Sequence, residues 1–154
     1  MKMHRLFAAA AILLALIPVA CSKYETNIPS LPVRLTLNLS YADKDLVPLY
    51  AYKVFTKARY AGEYVGYAGV LVVHGNNDTY YAYDLCCPYE GKKSTVVTPS
   101  DDGTATCATC GSKFDIASGG FRIDGPELAK GDSYRAYLRT YTVVKSGMEI
   151  LIEN

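Results

Sequence analysis

Residues 69 to 91 read GVLVVHGNNDTYYAYDLCCPYEG, and this stretch decides the class of the fold. Two short runs, GVLVVHG (69–75) and TYYAYDL (79–85), are rich in the β-branched and aromatic residues that suit a pleated, half-buried surface. The Asn-Asn-Asp between them, at 76–78, is a turn sequence, so the pair predicts a β-hairpin. The second strand runs straight into Cys86-Cys87-Pro88.

Working outward, the same signals recur on both sides. Val33, Leu35, Leu37 and Leu39 alternate with Arg34, Thr36, Asn38 and Ser40, the period of a strand with one buried face. LYAYKVF (49–55), SKFDI (112–116), FRI (121–123), LRTYTVV (138–144) and MEILIE (148–153) are further strand candidates, the last two joined across Lys145-Ser146-Gly147. Asp101-Asp102-Gly103 is a hairpin turn signal rather than a calcium loop. Fourteen tyrosines and no tryptophan agree with strands. No sustained helical stripe, internal repeat or second domain is visible, and many short strands punctuated by Gly and Pro predict a small all-β antiparallel sandwich or barrel.

The N-terminus is of another kind. Lys2 and Arg5 precede the apolar run LFAAAAILLALIPVA (6–20), which reads as a signal peptide over residues 1–20. Val19-Ala20-Cys21 resembles a bacterial lipobox, although Pro18 departs from the aliphatic residue usual there. On this reading Cys21 carries lipid and becomes the first mature residue. The plainer alternative is cleavage near Ala20 with Cys21 left as a thiol. The lipobox implies a lipoprotein of the cell envelope, anchored to the membrane through Cys21, on the periplasmic side or surface of a Gram-negative outer membrane. Residues 21–31 are polar and read as a tether, leaving 32–154 as one domain large enough to bury a core. The 16 Lys and Arg are scattered among 15 Asp and Glu, so no basic face for nucleic acid is expected.

Cys86, Cys87, Cys107 and Cys110 remain, an even number in an exported chain, where disulfides are permitted. CCPYEG (86–91) and CATCGSKF (107–114) flank a polar excursion over 90–106, so two thiol-bearing loops can close over one small object. An iron-sulfur cluster, zinc, a disulfide and free thiols are all compatible with these residues. Adjacent residues of an extended chain point to opposite faces, which separates Cys86 from Cys87 and turns Cys86 toward the core unless the backbone kinks at Pro88. No Ser-His-Asp set, phosphate loop or paired-carboxylate pocket suggests catalysis.

From about residue 48 onward the chain resembles a Rieske domain, whose signature is a C-x-H arm, an intervening loop, and a C-x-x-H arm followed by Gly and an aromatic residue. Cys87-Pro88-Tyr89 stands in place of the first arm, and Cys107-Ala108-Thr109-Cys110-Gly111-Ser112-Lys113-Phe114 in place of the second. Asp115, Gly119-Gly120, Gly125-Pro126, Leu138 and Tyr141 continue the likeness. The resemblance implies an electron-transfer domain with a 2Fe-2S cluster on Cys87 and Cys107, a redox protein partner, and a hydroxyl at Ser112 that tunes the cluster. Tyr89 and Cys110 fall where the family has its two histidines. The only histidine after Cys21 is His74, read as a surface or strand-end residue, so a two-histidine site cannot be built. An all-thiolate set with Cys86, or three thiolates plus the Tyr89 phenolate, are the cluster forms left open; tetrahedral zinc or a cofactor-free, disulfide-tied interaction module are the alternatives.

Overall fold

The computed structural model describes residues 26–154; the expected signal segment and Cys21 lie outside them. Among the described residues the chain is all-β. Seven strands form one antiparallel sheet: β1 (Val33–Asn38), β2 (Tyr52–Phe55), β3 (Tyr64–Val65), β4 (Val70–His74), β5 (Tyr80–Asp84), β10 (Thr140–Ser146) and β11 (Glu149–Glu153). Their spatial order is β2-β4-β5-β10-β11-β1-β3. A second sheet, in simple meander order, holds β6 (Val97–Ser100), β7 (Thr104–Cys107), β8 (Lys113–Asp115) and β9 (Phe121–Asp124).

The predicted hairpin is the centre of the molecule. β4 and β5 pair with Val72 opposite Ala82 and His74 opposite Tyr80, and every residue of β4 is buried. A strand buried on both faces reads as an unbroken apolar run rather than an alternating one, which is what VLVVH shows. The side-chain period of two then divides that run between two cores. Val70, Val72, Tyr80 and Ala82 join Leu35, Leu37, Ile150 and Ile152, around which the large sheet curls. Leu71, Val73 and Tyr83 face the other way, against Val97, Ala105, Phe114 and Ile116 of the small sheet and its turn. Each fully buried Leu, Ile or Val contributes about 1.5–3 kcal/mol of transfer free energy. The second core also contains Cys87 and Cys107, so the thiol loops stand on the back of the central hairpin.

Three expectations from the sequence need revision. Residues 90–106 are not a plain polar excursion: β6 and the start of β7 form a hairpin there, on the turn that Asp101-Asp102-Gly103 signals, with Gly103 at φ 77°. Only Val97, Ala105 and Cys107 of these two strands face inward, too short a pattern to announce a strand. Residues 26–31 of the expected tether lie against the domain: Ile28 is 2% exposed, and Arg139 donates to its carbonyl (2.9 Å) and to Ser30 Oγ (2.8 Å). His74 ends β4, as a strand-end residue was expected to, but it is buried rather than at the surface, with Nδ1 2.7 Å from the Val47 carbonyl and its ring stacked on Tyr80.

Candidate metal centre

The first arm leaves β5 at a buried carboxylate. Asp84 is fully buried, and its Oδ1 accepts the Cys86 N–H at 2.8 Å while Oδ2 accepts the Tyr67 N–H (3.0 Å) and the Tyr141 hydroxyl (2.6 Å). The Ala68 N–H lies 3.3 Å from both oxygens. A buried carboxylate satisfied by this many donors fixes the path of the chain that follows it. Sequence reasoning missed Asp84: one acid at a strand end reads as a turn residue, and its donors are remote in sequence except for Cys86.

From there the chain turns sharply. The Cys87 N–H bonds the Thr95 carbonyl and the Cys87 carbonyl accepts the Gly91 N–H, both at 2.9 Å. The second arm closes in the same way, with the Cys107 carbonyl accepting the Gly111 N–H at 2.9 Å and the Cys107 N–H bonding the Ser112 carbonyl at 2.9 Å.

These turns bring three of the sequence-predicted residues together. The sulfurs of Cys87, Cys107 and Cys110 all lie within 4.8 Å of one another, with 3.7 Å between Cys87 and Cys110. Cys86 is excluded from the group. Its sulfur is turned to the Lys92 carbonyl (3.3 Å) and the Cys87 carbonyl (3.6 Å), as alternation along an extended chain requires. Ser112 is fully buried with Oγ 3.2 Å from the Cys110 sulfur. Tyr89 packs half-buried against the same cluster, with the Arg135 guanidinium 5.3 Å from its ring centre. All four described cysteines are free thiols.

The environments of the thiols differ. Burial pushes Cys86 up to about 12. Burial also raises Cys87, against the pull of the Glu90 and Tyr89 N–H groups that face its sulfur. At half-exposed Cys110, burial is outweighed by the Ser112 hydroxyl and N–H and by the neighbouring thiols, and its pKa is lowered. Within the group Cys110 thus ionises more readily than Cys87, whose raised thiol a bound cation would have to deprotonate.

No protein-family model and no curated protein matches the chain. Among the solved structures similar to it are two from carbazole 1,9a-dioxygenase systems. The complex of reduced oxygenase and oxidized ferredoxin in carbazole 1,9a-dioxygenase contains a chain that is 15% identical, with a TM-score of 0.46 over 79% of this chain and 93% of that one. The ferredoxin of carbazole 1,9a-dioxygenase from Nocardioides aromaticivorans IC177 is 22% identical, with a TM-score of 0.42 over 79% of this chain and 95% of that one.

Proposed function

We propose that this chain is an envelope metalloprotein, a Rieske-like β domain that holds a metal centre on Cys87, Cys107 and Cys110. The observation that carries the reading is the convergence of these three sulfurs within 4.8 Å at the tips of two loops. Thiolates are the common ligands of iron in iron-sulfur proteins and of structural zinc. The Rieske resemblance supports an electron-carrier role toward a redox protein partner. The donor chemistry suits the 2Fe-2S cluster which that resemblance implies, but the spacing does not. A sulfide-bridged pair of tetrahedral irons separates thiolates on different irons by roughly 5.5 Å or more, so three thiolates divided between them cannot all lie within 4.8 Å.

The lipobox-like Val19-Ala20-Cys21 supports attachment to the membrane through lipid on Cys21, with the domain on the periplasmic side or surface of the outer membrane. Replacing Cys21 with serine is expected to leave the precursor unprocessed or move the chain to the soluble fraction. Unchanged partitioning and mass would count against the anchor.

A second reading is a cofactor-free interaction module in which Cys87 and Cys110 form a disulfide, and their 3.7 Å approach favours it. Metal analysis and thiol titration of the chain purified without oxygen separate the two readings. The metal centre predicts a bound metal that disappears in Cys107→Ala. Metal-free protein carrying a Cys87–Cys110 disulfide would replace it with the second reading. A potentiometric titration of the same sample tests the electron-carrier role, which requires a reversible wave.

A further inference from the structure

The two arms are copies of one turn. Cys87-Pro88-Tyr89-Glu90-Gly91 and Cys107-Ala108-Thr109-Cys110-Gly111 share the spacing Cys-x-x-x-Gly. In each, the carbonyl of the first cysteine accepts the N–H of the glycine four residues on, at 2.9 Å in both. Both glycines need the left-handed region to make that closure, with φ 66° at Gly91 and 75° at Gly111. Laid on one another, the arms match Cys87 to Cys107 and Glu90 to Cys110. The fourth position of the turn is a cysteine in one arm and a glutamate in the other.

We propose that the paired turns close on a single metal ion, bound by the thiolates of Cys87, Cys107 and Cys110 and by the carboxylate of Glu90. This deepens the metal-centre reading and rests on it. Ligands about 2.3 Å from one tetrahedral ion stand about 3.8 Å apart. The 3.7 Å between Cys87 and Cys110 has that length, and the Cys107 sulfur lies within 4.8 Å of both. Cys86 does not supply the fourth ligand, because its sulfur is held at the Lys92 carbonyl on the other face of the chain. Glu90 is half-buried on the arm itself. Its carboxylate stands outside the 4.8 Å set and would have to turn inward about its side-chain bonds as the ion binds. Carboxylate oxygen binds zinc at about 2.0–2.2 Å, so one oxygen among three sulfurs completes an ordinary tetrahedron.

The test uses the full chain, reduced and demetallated, titrated with Co2+ as a coloured reporter and with Zn2+ in competition. The expected result is saturation at one ion per chain with tetrahedral cobalt bands, and no acid-labile sulfide in the protein as purified. Glu90→Gln is expected to weaken Zn2+ by about tenfold or more and shift the cobalt bands, while Cys86→Ala leaves both unchanged. Glu90→Cys is expected to restore tight binding and to add thiolate-to-cobalt charge-transfer intensity. Far-ultraviolet circular dichroism checks that each variant folds. Two irons and two sulfides per chain would overturn the single-ion site and leave the metal-centre reading standing. Affinity and spectrum unchanged in Glu90→Gln would overturn the fourth ligand. No binding of either ion by the reduced chain would overturn the metal-centre reading itself.

Discussion

Single side chains decide how the thiol group is presented, and Ser112 illustrates it. It is buried beneath the Cys110 sulfur, and Gly125 leaves it room there. A Cβ on Gly125 would stand 2.7 Å from Ser112 Cα and 2.9 Å from its Oγ, at a φ of 129° that side chains rarely adopt. Gly125→Ala is therefore expected to destabilise the domain by more than 1 kcal/mol and to move Ser112 off the thiol. Urea unfolding checks the first effect, and faster alkylation of Cys110 at fixed pH would contradict the second, since the hydroxyl favours its thiolate. Thiol reactivity should also rank the cysteines of the reduced, metal-free chain. Half-exposed Cys110 should react first, ahead of Cys86 and Cys87, which are fully buried and whose thiols burial raises. Mass mapping of a partial alkylation reads that order, and early labelling of Cys86 would refute its placement in the interior.

At the scale of elements, strands were legible wherever a face was buried along several residues. β1, with its alternating inward leucines, and the unbroken apolar run of β4 could be read directly. β6 and β7 could not: Val-Thr-Pro-Ser carries a proline and one inward residue, and its strand character comes from pairing with β7. The thiol set was legible in part, because period-two alternation placed Cys87 and Cys86 on opposite faces before any contact was known. Asp84 was illegible because its meaning lies in what folds onto it, chiefly Tyr141 from β10 and the N–H groups of Tyr67 and Ala68. Tyr141→Phe removes a 2.6 Å bond to this carboxylate and is expected to cost about 1.5–3 kcal/mol. A fall in the urea midpoint with an unchanged slope would show that loss, and no fall would mean that solvent replaces the hydroxyl. Tyr141 itself is held protonated by burial and by Asp84, so the bond persists at alkaline pH.

For the whole molecule, two cores with different contents imply two stabilities. The core inside the large sheet contains no cysteine and carries its own polar anchor away from the thiols. Asp43 there is 1% exposed and meets Lys53 (3.0 Å), Arg59 (2.9 Å) and the Asn38 N–H (2.9 Å). Burial alone would raise the Asp43 carboxyl, but these partners outweigh it and hold the pKa below its ordinary value. A depressed carboxyl stabilises the fold above the unfolded pKa of about 4, and that stability is lost as pH falls through the lower folded value. Urea midpoints taken across the acid range should drop less steeply in Asp43→Asn than in the parent, and parallel curves would assign the acid loss elsewhere. The second core includes Cys87 and Cys107 and meets the first chiefly along the β4–β5 hairpin, with β2 giving Phe55 to one and Tyr52 to the other. Removing the proposed metal would untie the two arms but leave Leu35, Leu37, Val70, Val72, Ile150 and Ile152 packed on one another. Chelator with reductant is therefore expected to speed amide exchange first in residues 86–96 and 107–112, while β1, β4, β10 and β11 keep their protection. Exchange lost at the same rate in both sets would mean that the metal carries the fold as a whole, as it does in zinc fingers, and that the cysteine-free core cannot stand without it.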